Sequence, residues 1–291
     1  VPPTYSIVTN IDREHMDYYN SMSDLKNLFI KFINKVPSFG KSFICIDDKN
    51  NNDLLKKIKI KNFYTYGINS KSQFRIKNIK QTKDFSEYSL IINLPGKKNT
   101  VIDKIKIPLL GIHNVLNSTA AVAVALTIGI SKNVIKKGLK EFKGVQRRFN
   151  KIFTYRETSF YDDYAHHPTE IKEVLNGVRA AYKKEEVICV FQPHRISRLK
   201  DLKKEFSLSF KKADIVILCP VYAAGEKIKL GFNYNSFAKD IIKNSKIKLF
   251  MVNDQYELAK LTKNTIYGKK IVIGMGAGTI SAWMRELPNL L

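Results

Sequence analysis

Three cysteines in 291 residues are too few to staple a disulfide scaffold. Cys45, Cys189 and Cys219 each lie in an apolar, strand-like run with no metal-ligand spacing. They read as buried, reduced thiols of a cytoplasmic protein. No apolar run approaches the length of a membrane span, and no signal-peptide pattern opens the chain. Acidic residues are also scarce: 26 Asp and Glu face 50 Lys and Arg, leaving a formal net charge of +24. Such an excess can mark a nucleic-acid binder. Here, however, the positive charge is overwhelmingly lysine, scattered along the chain and mixed with Asn and Ile. A binder clusters charge on one face and interleaves stacking aromatics. No nucleic-acid partner is expected, and long-range attraction for an acidic small substrate is the simpler inference.

What is present is room for two domains, each with its own core. The chain is organised around Tyr161-Asp162-Asp163-Tyr164-Ala165-His166-His167-Pro168-Thr169-Glu170. An extended segment (residues 153–161) precedes it, and an amphipathic helix of about residues 168–183 follows. Proline suits a first helical position, because its missing N–H is one the helix leaves unpaired anyway. The turn therefore offers two carboxylates as acceptors. It also offers a helix N-terminus, whose free N–H groups favour a bound anion.

Before that turn, residues 5–11 read as a buried strand that opens directly on Val1, which is no initiator methionine. The expectation is a piece of a longer protein. His15 stands among Asp12, Glu14 and Asp17, a group able to hold a hard divalent cation. A helix over residues 23–36 follows, capped by Ser23 and stopped by Pro37. Strands at 43–46 and 63–66 flank a lysine-rich helix, and residues 73–110 read as an antiparallel annex. A helix from about His113 to Ile128 carries Asn114 and Asn117 on one face. Carboxamides pair a donor with an acceptor, which suits a nucleobase edge. Arg147 and Arg148 follow Gly144 at a change of pattern, where a boundary separates residues 1–149 from 150–291.

Beyond it, strands and helices alternate regularly, which implies a parallel sheet with ligands beyond the carboxyl ends of its strands. Gln192-Pro193-His194-Arg195-Ile196-Ser197-Arg198 lies at one such end, with Arg195 and Arg198 a helical turn apart. Gly274-Met275-Gly276-Ala277-Gly278 resembles a dinucleotide fingerprint, yet no acidic residue follows at the spacing a ribose needs. It reads as close backbone approach to an anion or another domain, or as tight packing.

Taken in order, TNIDREHMDY (residues 9–18), GIHNVLNSTAA (111–121), GVQRRF (144–149), DDYAHHPTE (162–170), QPHRISR (192–198), VYAAGE (221–226) and GAGTI (276–280) resemble the Mur ligase family of peptidoglycan synthesis. The double histidine before Pro-Thr-Glu and the Gln-Pro-His-Arg strand end favour its L-alanine-adding branch. The resemblance implies an α/β chain: the C-terminal part of a P-loop-type ATPase domain, then a Rossmann-like parallel-sheet domain. It implies a further UDP-binding domain and a Gly-rich phosphate loop, but no G-x-x-x-x-G-K-[ST] pattern occurs in these residues. By the resemblance, such a fragment alone is inactive.

The implied reaction is ATP-driven amide formation. A muramoyl carboxylate of UDP-N-acetylmuramate forms an acyl phosphate, which the amine of L-alanine attacks, with Mg²⁺ and guanidinium charge countering the anions. Matched by position, His15 would ligate Mg²⁺, Asn114 and Asn117 would sit on adenine, and Arg148, with Arg147, would touch the terminal phosphate. Asp163 would accept from the ribose hydroxyls, and His166 would reach phosphate or the nascent acyl group. His167, Arg195 and Arg198 would bind the muramoyl substrate or the alanine carboxylate. Competing expectations are a muropeptide-recycling ligase of the same family and a nicotinamide oxidoreductase resting on the glycine trio.

Overall fold

A computed structural model describes residues 2–14, 16, 18–226 and 232–291. It divides into two compact units, Val1–Lys143 and Gly144–Leu291. The Gly-Val-Gln-Arg-Arg-Phe segment therefore belongs with the second unit.

The first unit runs β1 (Tyr5–Val8), α1 (Met22–Asn34), β2 (Lys41–Cys45), α2 (Lys49–Leu55), β3 (Phe63–Gly67), β4 (Phe74–Gln81), β5 (Ser86–Ile92), β6 (Thr100–Ile107), α3 (Ile112–Thr127) and α4 (Lys132–Glu141). Its strands form one six-stranded sheet in chain order. β1, β2 and β3 pair in parallel, and β4 to β6 form an antiparallel meander, as the sequence pattern of residues 73–110 implies. β4 joins β3 in parallel only through Tyr66 beside Phe74 and Gly67 beside Arg75. The meander thus begins where β3 ends and carries the sheet onward. The tight loop between them is pinned by the Asp47 carboxylate, which accepts from the amides of Ile68 (2.7 Å) and Asn69 (2.8 Å). Gly67, at φ 149°, leaves room for it, since a Cβ there would meet Asp47 at 2.6 Å.

Alternation of side chains gives this sheet two covered faces. Val8 and Ile44 pack with Leu25 and Ile33 of α1 and Leu54 of α2. Phe43, Cys45, Tyr66, Phe74 and Tyr88 pack with Val115, Ala120 and Ala123 of α3 on the other side. Full burial of each Val, Leu, Ile or Phe among them contributes roughly 1.5–3 kcal/mol. Local details differ from the sequence expectation. α1 is capped by Ser21 rather than Ser23, because the Ser21 hydroxyl accepts from the Asp24 amide at 3.1 Å. The lysine-rich helix is only the Asn-rich segment α2, and the lysines after it lie beyond its end.

The second unit runs β7 (Asn150–Tyr155), β8 (Thr158–Asp163), α5 (Pro168–Ala181), β9 (Glu186–Phe191), α6 (Ile196–Asp201), α7 (Lys203–Ser209), β10 (Ile215–Leu218), α8 (Tyr234–Ser245), β11 (Lys248–Met251), α9 (Gln255–Thr265), β12 (Lys270–Met275) and α10 (Ile280–Leu290). The sheet order is β11-β10-β9-β12-β8-β7, parallel except for the β7 edge. Residues 153–161, expected as one extended segment, are instead a hairpin. Its turn places Arg156 (φ 44°) and Glu157 (φ 64°) in the left-handed region, where Asn-Gly is the usual choice. Arg156 is held there by the rings of Tyr155 and Tyr267 and by a bond to the Lys263 carbonyl. One face of the sheet is covered by Leu258, Ile280, Met284 and Leu287. The aromatic cluster of Phe191, Phe206, Phe210 and Phe237 joins β9 to α7 and α8. β12 enters last yet lies between β8 and β9, so the carboxyl ends of β8, β12, β9 and β10 stand side by side.

Candidate active site

Those four strand ends carry most of the residues the sequence singles out. β8 delivers Asp162 and Asp163, both buried. Asp162 accepts from the Ser281 hydroxyl at 2.5 Å. Asp163 accepts from the Ala165 amide through Oδ1 and the Phe149 amide through Oδ2, both at 2.8 Å. Burial pushes its carboxyl up to about 6, against those amides and the nearby Arg148. At 2% exposure it braces the loop from within, a different position from the solvent-facing acceptor a ribose would need.

The start of α5 also departs from expectation. His167 is its N-cap, with Nδ1 accepting from the Thr169 amide, and Glu170 folds back so that Oε2 accepts from the amides of His166 (3.0 Å) and His167 (3.2 Å). This is a capping box. The helix supplies its own anion, and the anion site read from the sequence is filled by Glu170. His167, at 4% exposure, caps the helix instead of facing a substrate. His166 keeps its ring toward the strand ends. Its Nδ1 lies 3.0 Å from the Tyr164 carbonyl and 3.3 Å from Glu170, which places the proton there.

Arg147 is likewise committed inside the unit. Its guanidinium donates to the Gly276 carbonyl at 2.6 Å and lies 4.7 Å from the centre of the Tyr164 ring. Arg148 approaches the same ring at 5.8 Å. Of the pair, Arg147 acts as a latch, which the sequence does not distinguish.

β9 ends in Gln192, whose carboxamide accepts from the Ile280 amide (3.0 Å) and donates to Thr279 (2.9 Å). It occupies the N-terminus of α10 behind the glycine turn. A Cβ on Gly278 would meet Gln192 at 2.5 Å and Tyr222 at 2.6 Å. The glycine trio is therefore there for tight packing. After Pro193, the His194 ring stacks on Tyr222 (5.5 Å, 21°) and meets His166 edge-on at 5.7 Å. With Tyr164 beside His166 at 5.0 Å, four rings line the strand ends. Burial, then the neighbouring His166, Arg198 and Arg195, drive His194 down to about 4, so it is neutral at pH 7. Arg198 reaches back to its Nδ1 at 3.5 Å. Arg195 adopts φ 68°, ψ 132°, a region costing a non-glycine residue roughly 1–3 kcal/mol.

β10 continues into Tyr222, whose backbone bridges His194, and a turn through Ala224 (φ 51°) and Gly225 (φ 84°) that presents Glu226. His194, Tyr222 and Glu226 are site residues to which the sequence reading assigns no role. The positive-φ pair before Glu226 is a signal only once the strand order is known. What results is a ring-lined edge bearing two arginines beside an uncharged imidazole, suited to a carboxylate or phosphate with an apolar neighbour.

In the first unit, Gly111 (φ 93°) caps α3, and Asn114 and Asn117 stand one turn apart in its first half. Asn114 donates to the Leu110 carbonyl at 2.6 Å, and Asn117 is exposed. His15, matched to a metal, lies outside the described residues. Among the described residues no group of three or more His, Cys, Asp or Glu could hold a metal ion, and no helix is long and apolar enough to cross a membrane.

With this geometry in view, two family models match the chain: the Mur ligase middle domain over residues 1–125, and the Mur ligase, glutamate ligase domain over residues 147–278. The chain is 82% identical to a UDP-N-acetylmuramate–L-alanine ligase of Pelagibacter ubique over 291 residues, which are all of this chain and 63% of that protein. It is 36% identical to one of Bartonella tribocorum, across 100% of this chain and 61% of that one. Among solved structures, a UDP-N-acetylmuramate-alanine ligase from Thermotoga maritima superposes with a TM-score of 0.75 at 24% identity, covering 99% of this chain and 59% of its own. A murein peptide ligase from Psychrobacter arcticus superposes at 0.68 and 18% identity, covering 100% and 58%. The chain thus spans about three fifths of the length of these relatives.

Proposed function

We propose, from the premise that this chain belongs to the Mur ligase family, that it forms part of a cytoplasmic, ATP-dependent ligase joining L-alanine to UDP-N-acetylmuramate. The observation that carries the reading is the Arg195–Arg198 pair beside neutral His194 and the Tyr222 ring. Neutral His194 adds no charge of its own beside the two guanidinium groups. Arg195 and Arg198 hold its carboxylate, and the rings of His166, His194 and Tyr222 bound a space next to it. His166, with its proton on Nδ1, turns Nε2 toward the phosphate or the acyl group. Arg148 supports a terminal phosphate, and Asn117, with Asn114, supports the adenine edge from α3. For Asp163, His167 and Arg147 the internal hydrogen bonds favour bracing these groups over touching ligand.

Transfer of the ATP γ-phosphoryl group to the carboxylate would give an acyl phosphate and ADP, and attack of the amine on the acyl carbon would release phosphate and a proton. Mg²⁺ would supply charge near that phosphate, with His15 the residue matched for it.

The test is a chimera in which residues 1–291 replace the matched 63% of the Pelagibacter ubique protein. Phosphate release is measured with UDP-N-acetylmuramate and ATP against L-alanine, L-serine, glycine and a muropeptide. L-alanine should give the highest kcat/KM. Preference for a tripeptide would move the chain to the muropeptide-recycling reading, and nicotinamide fluorescence quenching would favour an oxidoreductase.

A further inference from the structure

The loops after β9 and β10 are zipped together where they bear the two arginines. Tyr222 N donates to the Pro193 carbonyl (2.8 Å) and Arg195 N to the Tyr222 carbonyl (2.9 Å). Beyond this ladder, one carboxylate gathers three further donors. Glu226 Oε2 accepts from the amides of Ile196 (2.8 Å) and Ser197 (3.2 Å), and Oε1 accepts from the Ser197 hydroxyl (2.5 Å). Burial alone would raise this carboxyl, but the Ser197 hydroxyl, the two amides and Arg195 together hold it below its ordinary value. It is therefore a carboxylate at neutral pH. The residue immediately before its two amide partners is Arg195, with its strained backbone at φ 68°. No side-chain cap holds the start of α6, so the Glu226 carboxylate from the neighbouring loop does that work.

We infer that Glu226 is a positioning residue: its clamp on Ile196 and Ser197 holds Arg195 in its left-handed conformation and aims Arg195 and Arg198 at the substrate carboxylate. Without it, Arg195 relaxes to an ordinary backbone conformation, which redirects the arginine and rotates the first turn of α6 that carries Arg198. The effect belongs to substrate binding, because neither Glu226 nor its partners would touch the reacting atoms. This rests on the ligase reading above, in which Arg195 and Arg198 bind substrate.

Glu226→Ala in the chimera should raise KM for L-alanine or UDP-N-acetylmuramate about tenfold, with KM for ATP and kcat within about twofold. Glu226→Gln, which keeps one acceptor oxygen, should fall between. The Glu226→Ala/Arg195→Ala double variant should lose less than the product of the two single losses, since only Arg198 is then left for the clamp to aim. Unchanged KM in Glu226→Ala, or fully additive losses in the double variant, would overturn the inference while leaving the ligase reading intact. An unaltered chimera that does not use L-alanine fails the ligase reading instead. The clamp is then read without turnover, by amide exchange in residues 1–291. Glu226→Ala should speed exchange at Ile196 and Ser197 and leave β9 protected, and equal protection at those two amides would overturn it.

Discussion

Arg195 and Arg198 are half-buried at a strand end, where truncation opens no core cavity. Arg195→Ala or Arg198→Ala in the chimera should therefore lower kcat/KM about ten- to hundredfold, corresponding to the roughly 1.5–3 kcal/mol of a charged hydrogen bond. Melting temperatures should hold, and normal kinetics with a lowered melting point would make them structural. Asp163 gives a prediction in pH. Its folded value of about 6 lies above the ordinary 3.8 of an aspartate, so protonation favours the fold. The stabilisation is complete below about pH 4 and lost as pH rises through 6, roughly 3 kcal/mol at most for about two units. Carbon-13 NMR of the Asp163 carboxyl should titrate near 6, and a midpoint at or below 4 would sink the claim. Gly278→Ala should cost roughly 1–3 kcal/mol by overpacking, because the new Cβ meets Gln192 and Tyr222 inside van der Waals distance. Denaturant titration would register it, and unchanged stability would show that Tyr222 can swing away freely.

At the scale of elements, α5 shows a helix end closed by its own glutamate. Glu170→Ala removes the acceptor shared by the His166 and His167 amides, and should cost about 1 kcal/mol of unfolding free energy with an unchanged denaturant slope. No loss would mean water replaces the carboxylate fully. The glutamate three positions after His167 was visible in the sequence as a capping-box signal, so the self-filled helix end was legible there. The β7–β8 turn was not, since Arg-Glu carries no left-handed preference and is held by Tyr267, more than a hundred residues away. The alternation of strands and helices, the meander of residues 73–110 and the α3 asparagines were readable from periodicity. His194 and Tyr222 were not assigned roles, because only the parallel seating of β9 beside β10 brings their rings together.

For the whole molecule, the core cluster of Phe160, Ile188, Leu258 and Met284 is assembled from residues after Gly144. Residues 144–291 expressed alone should therefore unfold cooperatively, and limited proteolysis of the chain should leave this part as a resistant product. Cleavage throughout it at the rate of the first unit would refute that. The first unit carries a different consequence, one of time. Each hairpin of the β4–β6 meander closes over a few residues, whereas β1–β2 and β2–β3 must each wait for a helix-bearing crossover. Short closures cost less chain entropy, so the meander can form ahead of the parallel strands. Pulse-labelled amides of β5 should gain protection before those of β2. The two-residue contact of Tyr66 with Phe74 and Gly67 with Arg75 then becomes the seam at which an early-folding half receives a late one.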